Sequence, residues 1–63
     1  MLIRRVTGDN WEISIISFND NKGTKYNVTR RLPELSVAET KLFKNRKLAE
    51  KQFLEWLNQT TNF

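Results

Sequence analysis

The residues of this chain best suited to chemistry are the polar ones at alternate positions of one short segment: Lys25, Asn27, Thr29 and Arg31. Strand side chains alternate between two faces, so this spacing puts all four on one side of a β-strand. These are residue types that grip nucleic acid. Arg and Lys pair with guanine edges or phosphate, Asn pairs with adenine, and Thr meets phosphate or the thymine methyl. A β-ribbon or sheet can carry such groups into a major groove. The solvent face of any half-covered antiparallel sheet is polar in the same way, so the pattern fits a bland surface as well as a binding one. Two further basic clusters add to it. Lys44, Arg46 and Lys47 surround the expected start of a helix, where free backbone N–H groups favour an anion such as phosphate. Arg4 and Arg5 form a third basic site. A purely structural role for the helix charges is i,i+4 pairing, as Arg46–Glu50 and Lys51–Glu55.

Catalytic chemistry has little to work with. The chain has neither histidine nor cysteine, which removes Cys/His nucleophiles, Ser-His-Asp triads, thiolate zinc sites and disulfides. Acid–base work would then need paired carboxylates with shifted pKa values. The seven carboxylates are scattered: Glu50 and Glu55 are five apart on a helix and do not share a face, and Asp9 and Asp20 fall in turns. The loop Asn19-Asp20-Asn21-Lys22-Gly23 does not fit a calcium loop, because a count from Asn19 puts Arg30 at the twelfth position, where glutamate is needed. With Gly8 and Gly23 as the only glycines, there is no glycine-rich phosphate loop. The expectation is a non-enzymatic protein with no cofactor and no metal.

The elements that must position the polar residues follow from the turn signals. Residues 2–6 form a short first strand, and Thr7-Gly8-Asp9-Asn10 is a turn. Residues 11–18 are rich in aromatic and β-branched types and read as a strand. After a hairpin loop, residues 24–32 form the next strand, with Tyr26, Val28 and Leu32 on one side and the polar set on the other. Pro33 ends that strand, and residues 37–43 form a further one. Asn45 stands where a helix N-cap belongs, and helical spacing runs from 46 to 58, followed by a frayed tail at 59–63. The predicted fold is a single α+β domain spanning 1–63: a three- or four-stranded antiparallel sheet packed on one C-terminal α-helix. The helix stripe Ala49, Phe53, Trp56 and Leu57, flanked by Leu48 and Leu54, should pack on Trp11, Ile13, Ile15, Tyr26 and Val28. One helix covers one sheet face, which leaves the polar face open. Glu12 and Ser14 are expected on that face, and so are Lys41 and Glu39.

Size and charge narrow the classes further. Sixty-three residues hold one small core. Eleven Lys and Arg against seven Asp and Glu give a net charge of +4, which leans toward a polyanionic partner. No apolar run is long enough to span a membrane, and Met1-Leu2-Ile3-Arg4-Arg5 lacks the apolar stretch of a signal peptide. The absence of cysteine suits a reducing, cytoplasmic setting. The triplets Asn27-Val28-Thr29 and Asn58-Gln59-Thr60 then read as chance matches to a glycosylation signal.

The stretch from Leu2 to Leu57 resembles the arm-type DNA-binding domains of tyrosine recombinases and phage integrases. The matching pieces are Ile3-Arg4 before the turn, Trp11 opening a strand, Asp20 with Lys22-Gly23 in the hairpin, and Tyr26 after it; Phe43-Lys44-Asn45, Ala49 and Trp56-Leu57 follow. The order is also similar to that of small uncharacterised bacterial and phage proteins. The resemblance implies a three-stranded sheet on one helix, with the sheet face entering the major groove of double-stranded DNA. Lys25, Asn27, Thr29, Arg31 and Lys41 would then face bases and phosphates, with Arg4, Arg5, Lys44, Arg46 and Lys47 on the backbone. One pair of residues points elsewhere. Ile16 and Phe18 alternate onto the polar side, as expected of a bulge, of cover by Phe63, or of a protein interface. The rival expectation is therefore an adaptor or homodimer module that buries this same face against protein.

Overall fold

Only Asn21 and Lys22 separate the two longest strands. In the computed structural model, which describes residues 1–61, β2 (Glu12–Asp20) turns into β3 (Gly23–Leu32) through this pair, with Asp20 directly opposite Gly23. Gly23 takes φ 118°, a value that L-residues rarely adopt. The backbone N–H of Lys22 donates to Asp20 Oδ1 at 2.8 Å, which fixes the turn. Both strands therefore run to the tip of a hairpin that the sequence had suggested as a five-residue loop.

Two more strands flank this hairpin. β1 (Leu2–Thr7) pairs antiparallel with β2, and β4 (Val37–Phe43) pairs antiparallel with β3, so the sheet is a meander in the order β1-β2-β3-β4. This is one strand more than the integrase-type resemblance implies. Pro33–Leu35 forms a short 3-10 turn between β3 and β4, closed by Ser36 in the left-handed region at φ 54°. A register shift between Leu2 and Arg4 leaves Ile3 as an extra residue in β1. Ile3 packs against the core.

The helix α1 (Arg46–Thr61) crosses one face of the sheet. Asn45 caps it as expected: its side-chain oxygen accepts the Lys47 N–H at 2.7 Å, and its carbonyl accepts the Ala49 N–H at 3.1 Å. The helix runs to Thr61 instead of fraying at 58. Thr60 is buried and Gln59 accepts from Arg30 of β3, so tertiary contact carries the last turn, which the Thr61 hydroxyl closes locally on the Leu57 carbonyl. Residues 62 and 63, including Phe63 with its suggested cover, lie outside the described residues.

The core is the expected one. Ile13, Ile15 and Val28 from the sheet meet Ala49, Phe53 and Trp56 from the helix, all buried. Trp11, Tyr26, Phe43 and Leu57 pack around them. Leu48 and Leu54 stay exposed on the flanks of the helix stripe. No helix among the described residues is long and apolar enough to cross a membrane.

Candidate binding face

The strand registers sort every sheet residue onto one of two faces. Ile15 stands opposite Arg4 on one side and Val28 on the other, and Val28 opposite Lys41; Ile13 stands between Val6 and Arg30, and Arg30 between Ile13 and Glu39. Because Ile13, Ile15 and Val28 are core residues, this is the helix-covered face. Two of the expected binding residues therefore lie on it. Lys41 reaches the helix, with Nζ 3.3 Å from Gln52 Oε1 and 5.5 Å from the centre of the Trp56 ring. Arg4 lies over the Phe53 ring at 4.8 Å. The reason is parity. Phe43 packs against the core, so Glu39 and Lys41, four and two residues before it on β4, must share that side. Lys41 and Glu39 were expected among the open-face polar groups, and the register moves both to the other face.

The opposite face carries four rows across the strands. One row is Leu2, Ile16, Asn27 and Leu42; the next is Arg5, Ser14, Thr29 and Thr40; the third is Thr7, Glu12, Arg31 and Ala38. Phe18 and Lys25 form a fourth, shorter row at the hairpin end. Asn27, Thr29, Arg31, Glu12 and Ser14 thus stand together as the sequence suggested, joined by Arg5. Thr29 and Thr40 hydroxyls lie 3.1 Å apart within their row.

Lys25 is on this face but is not free. It is 6% exposed, and its Nζ binds both carboxylate oxygens of Asp20 at 3.1 Å. The Lys22 N–H and then the Lys25 ammonium hold the Asp20 carboxyl below its ordinary pKa. Lys25 is a strut of the hairpin, largely buried and with its charge already matched by Asp20.

The apolar content of the open face is larger than expected. Ile16 and Phe18 are each 38% exposed, Leu2 53% and Leu42 59%. Leu2 and Leu42 join Ile16 in one row only because β1 and β4 take the registers they do, and no local pattern in their own strands announces it. Arg30 was also missed. It shares parity with Tyr26 and Val28, a signal that was present, and it lies over the Trp56 ring at 4.8 Å while pairing with Glu39.

Charge is polarised along the strands. Tyr26 pairs with Phe43, so Lys22, Lys25, Lys44, Arg46 and Lys47 all collect at the hairpin end, near the helix N-terminus. Arg46 Nε pairs with Glu50 at 3.2 Å, as expected at i,i+4, whereas Lys51–Glu55 is not among the ion pairs of the described residues. The other end holds Asp9, Glu12 and Glu34 around Trp11, lining two adjoining clefts, with Arg31 as the one cation among the described residues of their lining. Among the described residues no group of His, Cys, Asp or Glu is arranged to hold a metal ion. No family model matches this chain, and neither does any curated protein or solved structure.

Proposed function

We propose that this chain is a small non-enzymatic protein-interaction module whose contact surface is the open sheet face. The row of Leu2, Ile16, Asn27 and Leu42, apolar in three of its four residues and with Phe18 beside it, carries the proposal. An apolar row on an otherwise polar, helix-free sheet face is what a buried interface needs and what solvent disfavours. The cations left on this face favour the same choice. Arg5 and Arg31 remain, Lys25 is tied to Asp20, and Glu12 stands opposite Arg31, which is a weak field for a phosphate backbone. A cytoplasmic setting, suggested by the absence of cysteine, belongs to the same proposal. The test is a photo-crosslinking side chain at position 42 on the open face, compared with one at Leu54 on the outer helix, in the cells that make the protein. Discrete protein adducts from position 42 alone are expected. Equal adducts from both positions, or none from 42, would overturn the proposal.

Duplex DNA is the second reading, and one observation favours it: the gathering of Lys22, Lys44, Arg46 and Lys47 at one end of a +4 protein, beside a helix N-terminus. This reading also keeps the integrase-type resemblance, with contacts moved from the sheet centre to its basic end. Fluorescence anisotropy with random duplex DNA at several salt concentrations tests it. Affinity falling linearly with log salt, and lost on Lys44→Glu with Lys47→Glu, supports DNA contact at this end. Affinity insensitive to those changes excludes it.

A further inference from the structure

The third row of the open face has an arrangement that suits a second copy of the same chain. Glu12 on β2 and Arg31 on β3 are directly opposite each other. At that separation opposite charges ordinarily meet within one sheet. Yet the ion pairs of the described residues are Lys25–Asp20, Arg30–Glu39 and Arg46–Glu50, and neither Glu12 nor Arg31 is among them. Both are left available to a partner.

We propose that two copies pack open face to open face about a two-fold axis running along the strands, between β2 and β3. This inference rests on the protein-interaction reading and names its partner. Such an axis lays the order β1-β2-β3-β4 over its own reverse, so each row meets itself end for end. Glu12 then faces Arg31 of the second copy, and Arg31 faces Glu12 of the second copy. Leu2 faces Leu42, Ile16 faces Asn27, Phe18 faces Lys25, Ser14 faces Thr29, and Arg5 faces Thr40, each pair occurring twice by symmetry. The alternative in-plane axis, across the strands, leaves the charges unmatched: centred on the hydroxyl row it sets Ile16 against Glu12, and centred on the apolar row it stacks Ile16 on itself but sets Glu12 against Asp20. Facing sheets pack about 10 Å apart and cross at about 30°, an offset that the long side chains of Glu12 and Arg31 can cover.

The axis predicts a pairing that no generic sticky surface produces. In Glu12→Arg, two Arg–Arg contacts replace the cross-copy ion pairs; in Arg31→Glu, two Glu–Glu contacts do. Each variant alone should dimerise roughly tenfold or more weakly than the parent chain. Mixed together, one chain of each kind restores both attractive pairs, while the charges within each row stay mismatched. Native mass spectrometry of the equimolar mixture should show the mixed dimer, with sedimentation equilibrium giving the affinities. Circular dichroism checks that both variants fold, since neither position belongs to the core. A dimeric parent whose two variants fail to combine would rule out this axis. A strictly monomeric parent would rule out the second copy; adducts to a different protein from position 42 would then leave the interaction reading standing, and no adducts would remove both.

Discussion

The guanidinium of Arg30 lies 4.8 Å from the centre of the Trp56 ring, and Lys41 Nζ lies 5.5 Å from the same ring. Two cations therefore share one core aromatic, at the seam where the helix meets β3 and β4. Arg30 also pairs with Glu39, donates to Gln59 Oε1 at 3.3 Å, and keeps its Nε buried with no hydrogen-bond partner. The ring face rewards the charge, and the unpartnered Nε works against it. Arg30→Ala is expected to cost about 1–2 kcal/mol in urea unfolding, through lost packing as well as lost charge. Arg30→Met keeps the stem and removes the orphaned Nε, so it should cost clearly less. Equal losses would mean that the charge, not the stem, holds the seam.

Gly8 is held to its identity by Trp11. Its N–H donates to the Trp11 carbonyl at 2.9 Å, and a Cβ built on Gly8 would overlap Nε1 and Cε2 of the Trp11 ring. Those ring atoms are bonded to their neighbours and cannot yield without moving the whole indole. Gly8→Ala should destabilise by about 1–3 kcal/mol and displace the indole from the edge of the core. Tryptophan emission in the folded state should shift to longer wavelength. An unchanged spectrum and midpoint would contradict this close approach.

The start of the helix has a good cap and unfavourable charges. Asn45→Ala should cost about 1 kcal/mol, because the Lys47 N–H loses its acceptor. No acidic residue lies in the first turn, and Arg46 and Lys47 oppose the helix dipole there. Lys47→Glu should therefore raise stability by about 0.3–1 kcal/mol at low salt. If it also lowers DNA affinity, stability and binding make opposite demands on one position. Thermal unfolding at two salt concentrations checks the stability change.

Asp20 sets an acid limit on the hairpin. Its folded pKa lies below the ordinary 3.8, chiefly through the Lys22 N–H and then Lys25. A carboxyl with a depressed folded pKa adds stability above its unfolded pKa, and that stability is lost as pH falls through the folded value. Stability should therefore decline as pH drops below about 4. Asp20→Asn should be less stable than the parent at neutral pH and show a shallower decline in acid. Urea midpoints from pH 3 to pH 7 for both chains measure the difference, and parallel curves would show that Asp20 does not contribute.

The sequence by itself determined the local elements and the composition of the core. Turn residues at Gly8, Gly23 and Pro33 divided the strands, the spacing of Ala49, Phe53 and Trp56 chose one helix stripe, and Asn45 marked its start. Alternation within a strand also fixed which residues share a face, which is why Asn27, Thr29 and Arg31 stand together and why Ile16 stands with them. Alternation cannot say which face of a mixed strand turns inward. In β4, Phe43 packs on the core, and parity puts Glu39 and Lys41 on the same face, whereas reading by polarity had put those two outside. Nor can one strand announce its neighbours. The row that holds Leu2, Ile16 and Leu42 exists only through the pairing of four strands across a bulge at Ile3. The pairing of Lys25 with Asp20 needs the two-residue turn that brings their side chains to one side of the hairpin. Residue type and spacing are local properties; register and burial depend on which distant segments meet, and only the tertiary structure decided those.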